Sequence, residues 1–418
     1  MRRLALSPTL PAAGPRRLKA IRALLCAENF LLAFGVGAFL TLPLAMKSRG
    51  LDEVFFGQVF AAGAIGALLC AGSSHALLRR FGLAAVAPWG SGIFFAGSAC
   101  LAGCMAGWPE PAGGAAWYAG SVLQGVGWGL FLAQGPICLS SVIDGERRAY
   151  HFMVYGAFNT LGIGLAPLVS RWAMARAGWQ FTDLFVLGSA ASAAACVASA
   201  WAAWRNAAYA AADAMARSPS TDPARRRRLR QLLALPSAWF VAMVFLCACV
   251  YTSMMNFQTT MAAARHIDYA VFYGAYMLAV VAARFLLSGP LASRPARVTV
   301  PALAVLMVAG LALLCLAGVS VVAYAAGALA LGIGYGLLYP TLQAQAADWA
   351  PPALRSQALI AFSLSYLFAR YLFPYVGALL IEAGGYDALL GTLMLLAAAL
   401  ALLAGAFFRM GPGRRAAR

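Results

Sequence analysis

Long apolar runs constrain the fold of this 418-residue chain more than any other feature. Twelve runs of roughly 20 or more residues follow one another, and each is long enough to cross the core of a bilayer as a helix. Charged residues make up 11% of the chain, whereas soluble domains carry about 25%. The pattern excludes a soluble globular protein and predicts an all-α polytopic membrane protein with 12 transmembrane helices.

The chain also contains the same half twice. The segment QGVGWG at 124–129 aligns with LGIGYG at 331–336 when 207 is added to its numbers. Six identities share this offset without a gap: Gly125/Gly332, Gly127/Gly334, Gly129/Gly336, Leu130/Leu337, Arg148/Arg355 and Pro167/Pro374. Such a repeat predicts two six-helix bundles with pseudo-two-fold symmetry. The repeated glycines suit close packing between helices.

Polar stretches divide the chain into five parts. We predict a cytoplasmic N-terminal tail (1–20), an N-terminal bundle (21–205), a basic cytoplasmic linker (206–236), a C-terminal bundle (237–409) and a cytoplasmic tail (410–418). The linker contains Arg225 to Arg228, and such basic loops also contact anionic lipids.

Basic residues predict the orientation of the chain in the membrane. The net charge is +18, from 31 Lys and Arg residues against 13 Asp and Glu residues. On one side of the predicted topology the loops hold only five of the basic residues: Lys47, Arg49, Arg171, Arg176 and Arg265. Cytoplasmic loops carry the excess of Lys and Arg, so both termini are predicted to be cytoplasmic. The basic charge is explained by topology, and no nucleic-acid partner is expected.

Three ionised side chains fall deep inside apolar runs, where each costs at least about 2.5–3.5 kcal/mol. Glu28 is the only carboxylate predicted within the bilayer, so it is the candidate for proton coupling, with a permanent ion pair to an arginine as the alternative. Arg370 is the candidate for substrate binding, with structural pairing as the alternative. Arg284 is assigned to gating or to structure.

The two halves joined by a basic loop resemble the major facilitator superfamily of secondary transporters. The sharpest match is GPLASRPAR at 289–297, which is similar to the glycine-led turn of that family, although Ser293 stands where the family has Asp. Gln124 and Gly125 match its Arg-x-x-Gln-Gly motif, but Ser121 replaces the Arg. The resemblance covers nearly all of the chain and implies the fold of that superfamily.

A more specific resemblance is to bacterial small-molecule exporters. Gly162 and Pro167 loosely match the Gly-x-x-x-Gly-Pro signature of the antiporter branch, with Ala166 in place of its second Gly. The run GIGYGLLYP at 332–340 resembles exporters of drugs, sugars and siderophores. The family's turn locks and releases the cytoplasmic side, which implies gating residues in this turn and its first-half copy: Gly289, Arg294, Arg297, Arg79 and Arg80. Arg284 joins this gating set because it lies near the cytoplasmic end of its apolar run.

Candidate substrate contacts follow from the same resemblance. The superfamily lines its cavity mainly from spans one, four, seven and ten, which implies a polar set here: Asn29, Gln134, Tyr251, Asn256, Gln258, Tyr335 and Tyr339. Tyr366 joins them because it shares a helical face with Arg370, and Asn159 because it is the repeat counterpart of Tyr366. Each of these side chains can instead hydrogen-bond between helices.

The predicted function is secondary active transport in the bacterial inner membrane. The leading hypothesis is a proton-coupled exporter, an antiporter, of a small anionic or zwitterionic molecule such as a drug, sugar or siderophore. A proton-coupled uptake symporter of an organic anion or other nutrient is the alternative, and a non-transporting receptor is a third.

An enzyme is not expected, because the three His residues (His75, His151 and His266) lie far apart and no nucleophile–base set appears. The expected partners are the substrate, protons and membrane lipids. We expect no cofactor and no metal, and we expect a monomer.

Overall fold

A computed structural model describes residues 15–107, 114–140, 142, 148–205, 236–287, 290–291, 294–351 and 354–410. These residues form helices, and no strand occurs among them. The first half contains α1 (Pro15–Ala38), a 3-10 turn (Phe39–Thr41), α2 (Leu42–Lys47), α3 (Glu53–Phe81), α4 (Leu83–Met105), α5 (Ala115–Ser140), α6 (Arg148–Ala177) and α7 (Phe181–Arg205). The second half contains α8 (Ser237–Ala264), α9 (Tyr269–Ala282), a π-helical turn (Ala283–Leu287), α10 (Ala296–Cys315), α11 (Val321–Asp348) and α12 (Arg355–Met410). The predicted all-α fold is confirmed.

These helices supply twelve membrane-length segments within the described ranges. Ten helical stretches are long and apolar enough to cross a membrane. The stretch in α12 is two spans, because Gly384 and Gly385 leave the helical conformation and Gly385 has a φ of +71°. Helix α6 is 30 residues long, which is also enough to cross a bilayer.

Successive helix ends alternate between two faces of the bundle. The terminal face holds the start of α1 and the end of α12, and the distal face holds the loops at 48–52 and 265–268. Side-chain caps fix three helix starts on the distal face. Asp52 Oδ1 accepts from the Phe55 backbone N–H (N···O 2.7 Å), and Asp268 Oδ1 accepts from that of Ala270 (2.9 Å). Ser320 caps α11 in the same way. Caps of this kind satisfy backbone donors that the first helical turn leaves unpaired.

The repeated glycines lie where α5 and α11 cross their neighbours. A Cβ atom on Gly125 would collide with the carbonyl oxygen of Gly63 in α3. At the equivalent crossing, a Cβ on Gly332 would lie 2.6 Å from the carbonyl oxygen of Tyr276 in α9. Backbones touch directly at both crossings, which confirms the predicted packing role. The same contacts therefore assemble both halves.

Large apolar side chains cover the outer surface of both halves. Leu69, Trp172, Val197, Leu278 and Leu402 are each more than 60% exposed. Large apolar side chains exposed on so many helices suit contact with lipid chains rather than water. The structure is that of a multi-pass membrane protein.

The two halves meet along three helix pairings. Helix α3 packs against α12, α6 packs against α9, and the distal end of α8 packs against α2 and the 3-10 turn. The first two pairings each join one half to the other near the middle of the bundle. A space is enclosed between these pairings.

Candidate substrate-binding site

A small cavity lies between the halves and takes residues from both. Its volume is about 40 Å³, which is room for a few water molecules. The first half contributes apolar side chains together with Gln124 and Trp128, and the second half contributes most of the polar ones. The lining consists of Val36, Phe39, Leu40, Phe60, Phe94, Gln124, Trp128, Ile163, Tyr251, Thr252, Met255, Asn256, Arg370 and Tyr371.

Arg370 is the only charged side chain in this lining. It is 8% exposed, and its Nη1 donates to Tyr366 Oη at 3.3 Å. Its guanidinium carbon lies 5.3 Å from the ring centroid of Trp128 and 5.9 Å from that of Tyr371. These aromatic faces offset part of the cost of burying the charge. The Nε atom of Arg370 has no hydrogen-bond partner.

Two other buried polar atoms in the cavity lining also lack a partner. The indole Nε1–H of Trp128 is an unpaired donor, and Oδ1 of Asn256 is an unpaired acceptor. The amide nitrogen of Asn256 is engaged, because it donates to the carbonyl oxygen of Thr252 at 2.8 Å. Buried polar groups in native proteins are nearly always hydrogen-bonded, so unpaired groups around one cavity mark a place for a polar ligand or water.

A tyrosine cluster adjoins Arg370 and includes several predicted residues. Tyr251 and Tyr335 stack with ring centroids 4.1 Å apart and an interplanar angle of 7°. Tyr339 contacts both Tyr335 and Tyr366, at centroid distances of 6.1 and 5.2 Å. The structure thus brings together Arg370 and these four predicted tyrosines. Their role in substrate binding stays a prediction.

Seven predicted contacts lie outside the cavity lining: Tyr335, Tyr339 and Tyr366 of the cluster, and the amides of Asn29, Asn159, Gln134 and Gln258. Asn159 Nδ2 donates to Asn29 Oδ1 at 2.8 Å, and Asn29 Nδ2 donates to the Tyr155 carbonyl oxygen, so these amides join α1 to α6. Gln258 Oε1 accepts from Tyr324 Oη at 2.9 Å, between α8 and α11. Gln134 is buried in α5, with neither amide atom paired. Their predicted contact with substrate remains untested.

Glu28 lies on a side of α1 that does not line the cavity. It is 5% exposed, and its Oε1 accepts from Ser91 Oγ of α4 at 2.9 Å. The hydroxyl of Ser199 in α7 is a second hydrogen-bond partner. No arginine or lysine of the described ranges forms an ion pair with Glu28. The alternative of a permanent ion pair with an arginine therefore finds no partner in that part of the chain.

Arg284 connects the two halves through the π-helical turn after α9. Its Nη1 donates to Thr160 Oγ1 of α6 at 2.9 Å and approaches the Gly156 carbonyl oxygen at 3.4 Å. Its Nε donates to the Gly336 carbonyl oxygen of α11 at 3.3 Å. Single π-helical turns are often found at functional sites, and here the turn carries the bridging side chain.

The remaining predicted gating residues belong to the terminal face. Arg294, Arg297 and Arg80 are exposed there, and Arg80 lies over the ring of Phe81 at 5.2 Å. Gly289 and the side chain of Arg79 lie outside the described residues. The gating role of this set stays a prediction.

Polar contacts across the halves are found on the distal face. Arg171 Nε of α6 pairs with Asp268 Oδ2 at 2.9 Å. Tyr386 Oη of α12 donates to Glu53 Oε1 of α3 at 2.8 Å. Glu53 also pairs with Lys47 Nζ at 2.6 Å within its own half. We call the Arg171–Asp268 and Tyr386–Glu53 contacts the distal latch, because they hold the distal ends of the halves together.

Sequence reasoning missed several residues of the cavity, above all Trp128 and Tyr371. Trp128 lies inside the QGVGWG segment. The glycines of this segment indicate helix packing, so the whole segment is assigned to packing and Trp128 is not considered as a cavity residue. The signal that could have found it is its size, since a single large ring within a glycine ladder must project to one side. Phe60 and Thr252 carry no comparable signal, because apolar and hydroxyl residues are common throughout the spans. Among the described residues there is no group of three metal-ligating side chains.

Comparison with known families agrees with this architecture. The family model described as Major Facilitator Superfamily matches residues 24–329 and 270–418. No curated protein gives a match. Similar solved structures include a D-xylose-proton symporter, with a TM-score of 0.71 and 13% identity over 93% of this chain and 97% of that one.

Two further structures show the same fold. The human organic anion transporter TETRAN has a TM-score of 0.65 and 15% identity, covering 94% of this chain and 100% of that one. A POT family transporter in complex with 5-aminolevulinic acid has a TM-score of 0.67 and 14% identity, covering 95% and 96%. The fold and the cavity between two halves define a multi-pass membrane transporter rather than an enzyme. The chain belongs to the major facilitator superfamily.

Proposed function

We propose that this protein is a proton-coupled exporter that moves a small anionic or zwitterionic molecule across the bacterial inner membrane by alternating access. Arg370 carries the proposal. It is a permanently charged, buried side chain between the two halves, and the cavity lining contains no carboxylate to pair with it. A buried charge is costly unless it is paired, so an anion is its natural partner. Drugs, sugars and siderophores that carry an anionic group are the expected cargo.

Alternating access requires two alternative closures of the cavity, and the distal latch supports one of them. With both termini in the cytoplasm, the distal face is the outer face, so this structure represents a state closed to the outside. Opening to the outside would break the Arg171–Asp268 and Tyr386–Glu53 contacts. Both sides of the cavity come from one chain, which suits a monomeric transporter.

Proton coupling through Glu28 would be indirect. Glu28 binds Ser91 and Ser199 on the far side of α1, so a proton and a substrate anion would occupy separate sites. The neighbouring residue Asn29 hydrogen-bonds Asn159 of α6, and the next residue of α6, Thr160, accepts from Arg284 of the other half. We propose that protonation of Glu28 shifts α1, and that this shift alters the contact between the halves through these hydrogen bonds.

Export is the leading direction because Gly162 with Pro167, and the GIGYGLLYP run at 332–340, resemble exporters. One structural observation favours the alternative, an uptake symporter of an organic anion or other nutrient. Because Glu28 and Arg370 are separate, the proton and the anion can bind together, and simultaneous binding is the condition for symport. In antiport, binding of the proton and binding of the anion must instead be mutually exclusive, which with separate sites requires that the change between inward-open and outward-open states links them.

Transport in everted inner-membrane vesicles tests the proposal. Respiration acidifies the interior of such vesicles, so a proton antiporter accumulates its cargo inside, and a symporter drives pre-loaded cargo out. We would compare a panel of organic acids, amino acids and sugars with and without an uncoupler. Accumulation that the uncoupler abolishes supports export, whereas uncoupler-sensitive loss of cargo supports the symporter.

The assignment of Arg370 is tested in the same vesicles. Arg370→Ala is expected to abolish transport while membrane insertion stays normal. Arg409→Ala is the matched control, because Arg409 lies in the same helix but is exposed at its terminal end. Wild-type transport by Arg370→Ala would refute the proposed role.

A further inference from the structure

The charge of the cavity lining restricts the charge of the substrate more narrowly than the proposed function does. Arg370 supplies one positive charge, and no Asp, Glu, Lys or His lies in the lining. Glu28, a buried carboxylate of the first half, does not line the cavity and hydrogen-bonds Ser91 and Ser199 instead. A substrate with one negative charge is neutralised in this site. A second negative charge, or an ammonium group, would be buried without a partner.

The free hydrogen-bonding atoms suit a carboxylate. Nε of Arg370 and Nε1 of Trp128 are both unpaired donors in the same lining, and the two side chains are in cation–π contact. A carboxylate has two oxygens that each accept a hydrogen bond, so it can use both donors. Arg370 is 8% exposed and Trp128 is 2% exposed, so water competes little for either donor.

The remainder of the lining is suited to an apolar body. The first half presents Phe39, Leu40, Phe60 and Ile163 to the cavity and contributes no ionisable side chain there. Apart from Gln124 and the indole of Trp128, such a wall offers no hydrogen-bond partner to the several hydroxyls of a sugar. Besides the donors described above, one fully buried polar atom of the lining is unpaired, Oδ1 of Asn256, which can accept one substrate N–H or O–H group.

We propose that the site selects an amphipathic monocarboxylate, with its carboxylate on Arg370 and Trp128 and its apolar body against the first half. The inference rests on the proposed function and narrows its cargo, since it excludes zwitterions, dianions and neutral sugars. At about 40 Å³ the cavity is smaller than any such molecule, so binding accompanies separation of the halves.

Binding to the full-length protein in lipid nanodiscs tests this inference. Ligand-induced thermal stabilisation would be titrated with four compounds that share a phenyl group: hydrocinnamate, L-phenylalanine, phenylsuccinate and hydrocinnamyl alcohol. Hydrocinnamate is expected to stabilise the protein at concentrations at least about tenfold lower than the other three, because one buried charge–charge or charged hydrogen-bond contact is worth about that much. The measurement needs no proton gradient.

Two pairs of variants identify the groups that bind. Trp128→Phe removes the indole donor and keeps a ring, and is expected to weaken hydrocinnamate binding roughly tenfold. Trp172→Phe is its control on the lipid-facing surface, where Trp172 is 64% exposed. Arg370→Gln is expected to abolish binding, and Arg409→Gln to leave it unchanged.

The outcomes separate this inference from the proposed function. Equal or stronger stabilisation by phenylalanine or phenylsuccinate, or no response to hydrocinnamate, overturns monocarboxylate selectivity. Proton-driven transport of a zwitterion in vesicles would then still support the proposed function. Conversely, selective hydrocinnamate binding without any gradient-driven transport supports the inference and contradicts proton coupling.

Discussion

The distal latch predicts that one hydroxyl group controls how often the distal face opens. Tyr386 donates to Glu53 across the halves, and its ring lies under Lys47 with the ammonium nitrogen 5.8 Å from the centroid. Tyr386→Phe removes the hydroxyl and keeps the ring in place. We expect this variant to favour the distal-open state, because the hydrogen bond exists only while the distal ends are together.

The expected magnitude follows from the contact. A hydrogen bond to a charged group contributes about 1.5–3 kcal/mol. Glu53 keeps its ion pair with Lys47 in the variant, so the lower end applies, about 1.5 kcal/mol, which is close to a tenfold rise in the open population. The Arg171–Asp268 pair makes a useful comparison. Its side chains are 42% and 39% exposed, and an exposed pair is worth about 0.5 kcal/mol, so Asp268→Asn should raise the open population only roughly twofold.

Hydrogen–deuterium exchange in nanodiscs measures both effects. Amides in the distal parts of α3 and α8 exchange through opening, so their rates scale with the open population when reclosing is fast. Peptides covering 54–60 and 257–263 should exchange about tenfold faster in Tyr386→Phe than in the wild type, by the same free-energy conversion. Unchanged exchange in Tyr386→Phe, or a larger effect from Asp268→Asn, would refute the reasoning.

Three further predictions concern the proton site, the bridge between the halves and the packing of the first half. Glu28→Gln should retain substrate exchange but lose gradient-driven transport, because the Gln side chain cannot carry a proton. Glu382→Gln, at an exposed position, is the control. If the pH dependence of transport is unchanged in Glu28→Gln, Glu28 is not the coupling residue. Arg284→Gln should slow transport without weakening substrate binding, since it breaks the bridge to Thr160 and Arg284 does not line the cavity, and a loss of binding in titrations would contradict this. Gly125→Ala should lower the melting temperature, at a cost of about 1–3 kcal/mol, because its Cβ meets backbone, whereas Gly391→Ala has open space and should be neutral or stabilising in the same thermal scan.

Much of the fold could be predicted because the bilayer imposes it. The length of each apolar run fixes a span, and the apolar run that begins the predicted C-terminal bundle at residue 237 forms α8. The repeat at one offset predicts equivalent packing, and Gly125 and Gly332 show it. The π-helical turn at Ala283–Leu287 could not be predicted, because it depends on backbone hydrogen bonds that no residue type in the run specifies.

The site was predictable only where burial carries a large free-energy cost. Arg370 stands out in an apolar run, and the structure places it in the cavity. The sequence could not predict which way the Glu28 side chain points, because α1 is apolar on most sides and its sequence does not indicate which side faces the cavity. For the same reason Asn29 and Asn159 suggested a cavity contact, although the structure joins them to each other.

The backbone contacts at the glycine crossings have a mechanical consequence. Where one helix rests directly on another, as at Gly125 on Gly63, no side chain can give way, so each half resists bending. In the alternating access proposed above, each half would move as a rigid body about the centre of the bundle, where Arg370 contacts Trp128. A 28-residue helix such as α8 is about 42 Å long, so a tilt of about 10° around its midpoint moves each end by roughly 3.5 Å. Opposite ends move in opposite directions, so each ångström of opening on one face of the membrane narrows the other face by a similar amount.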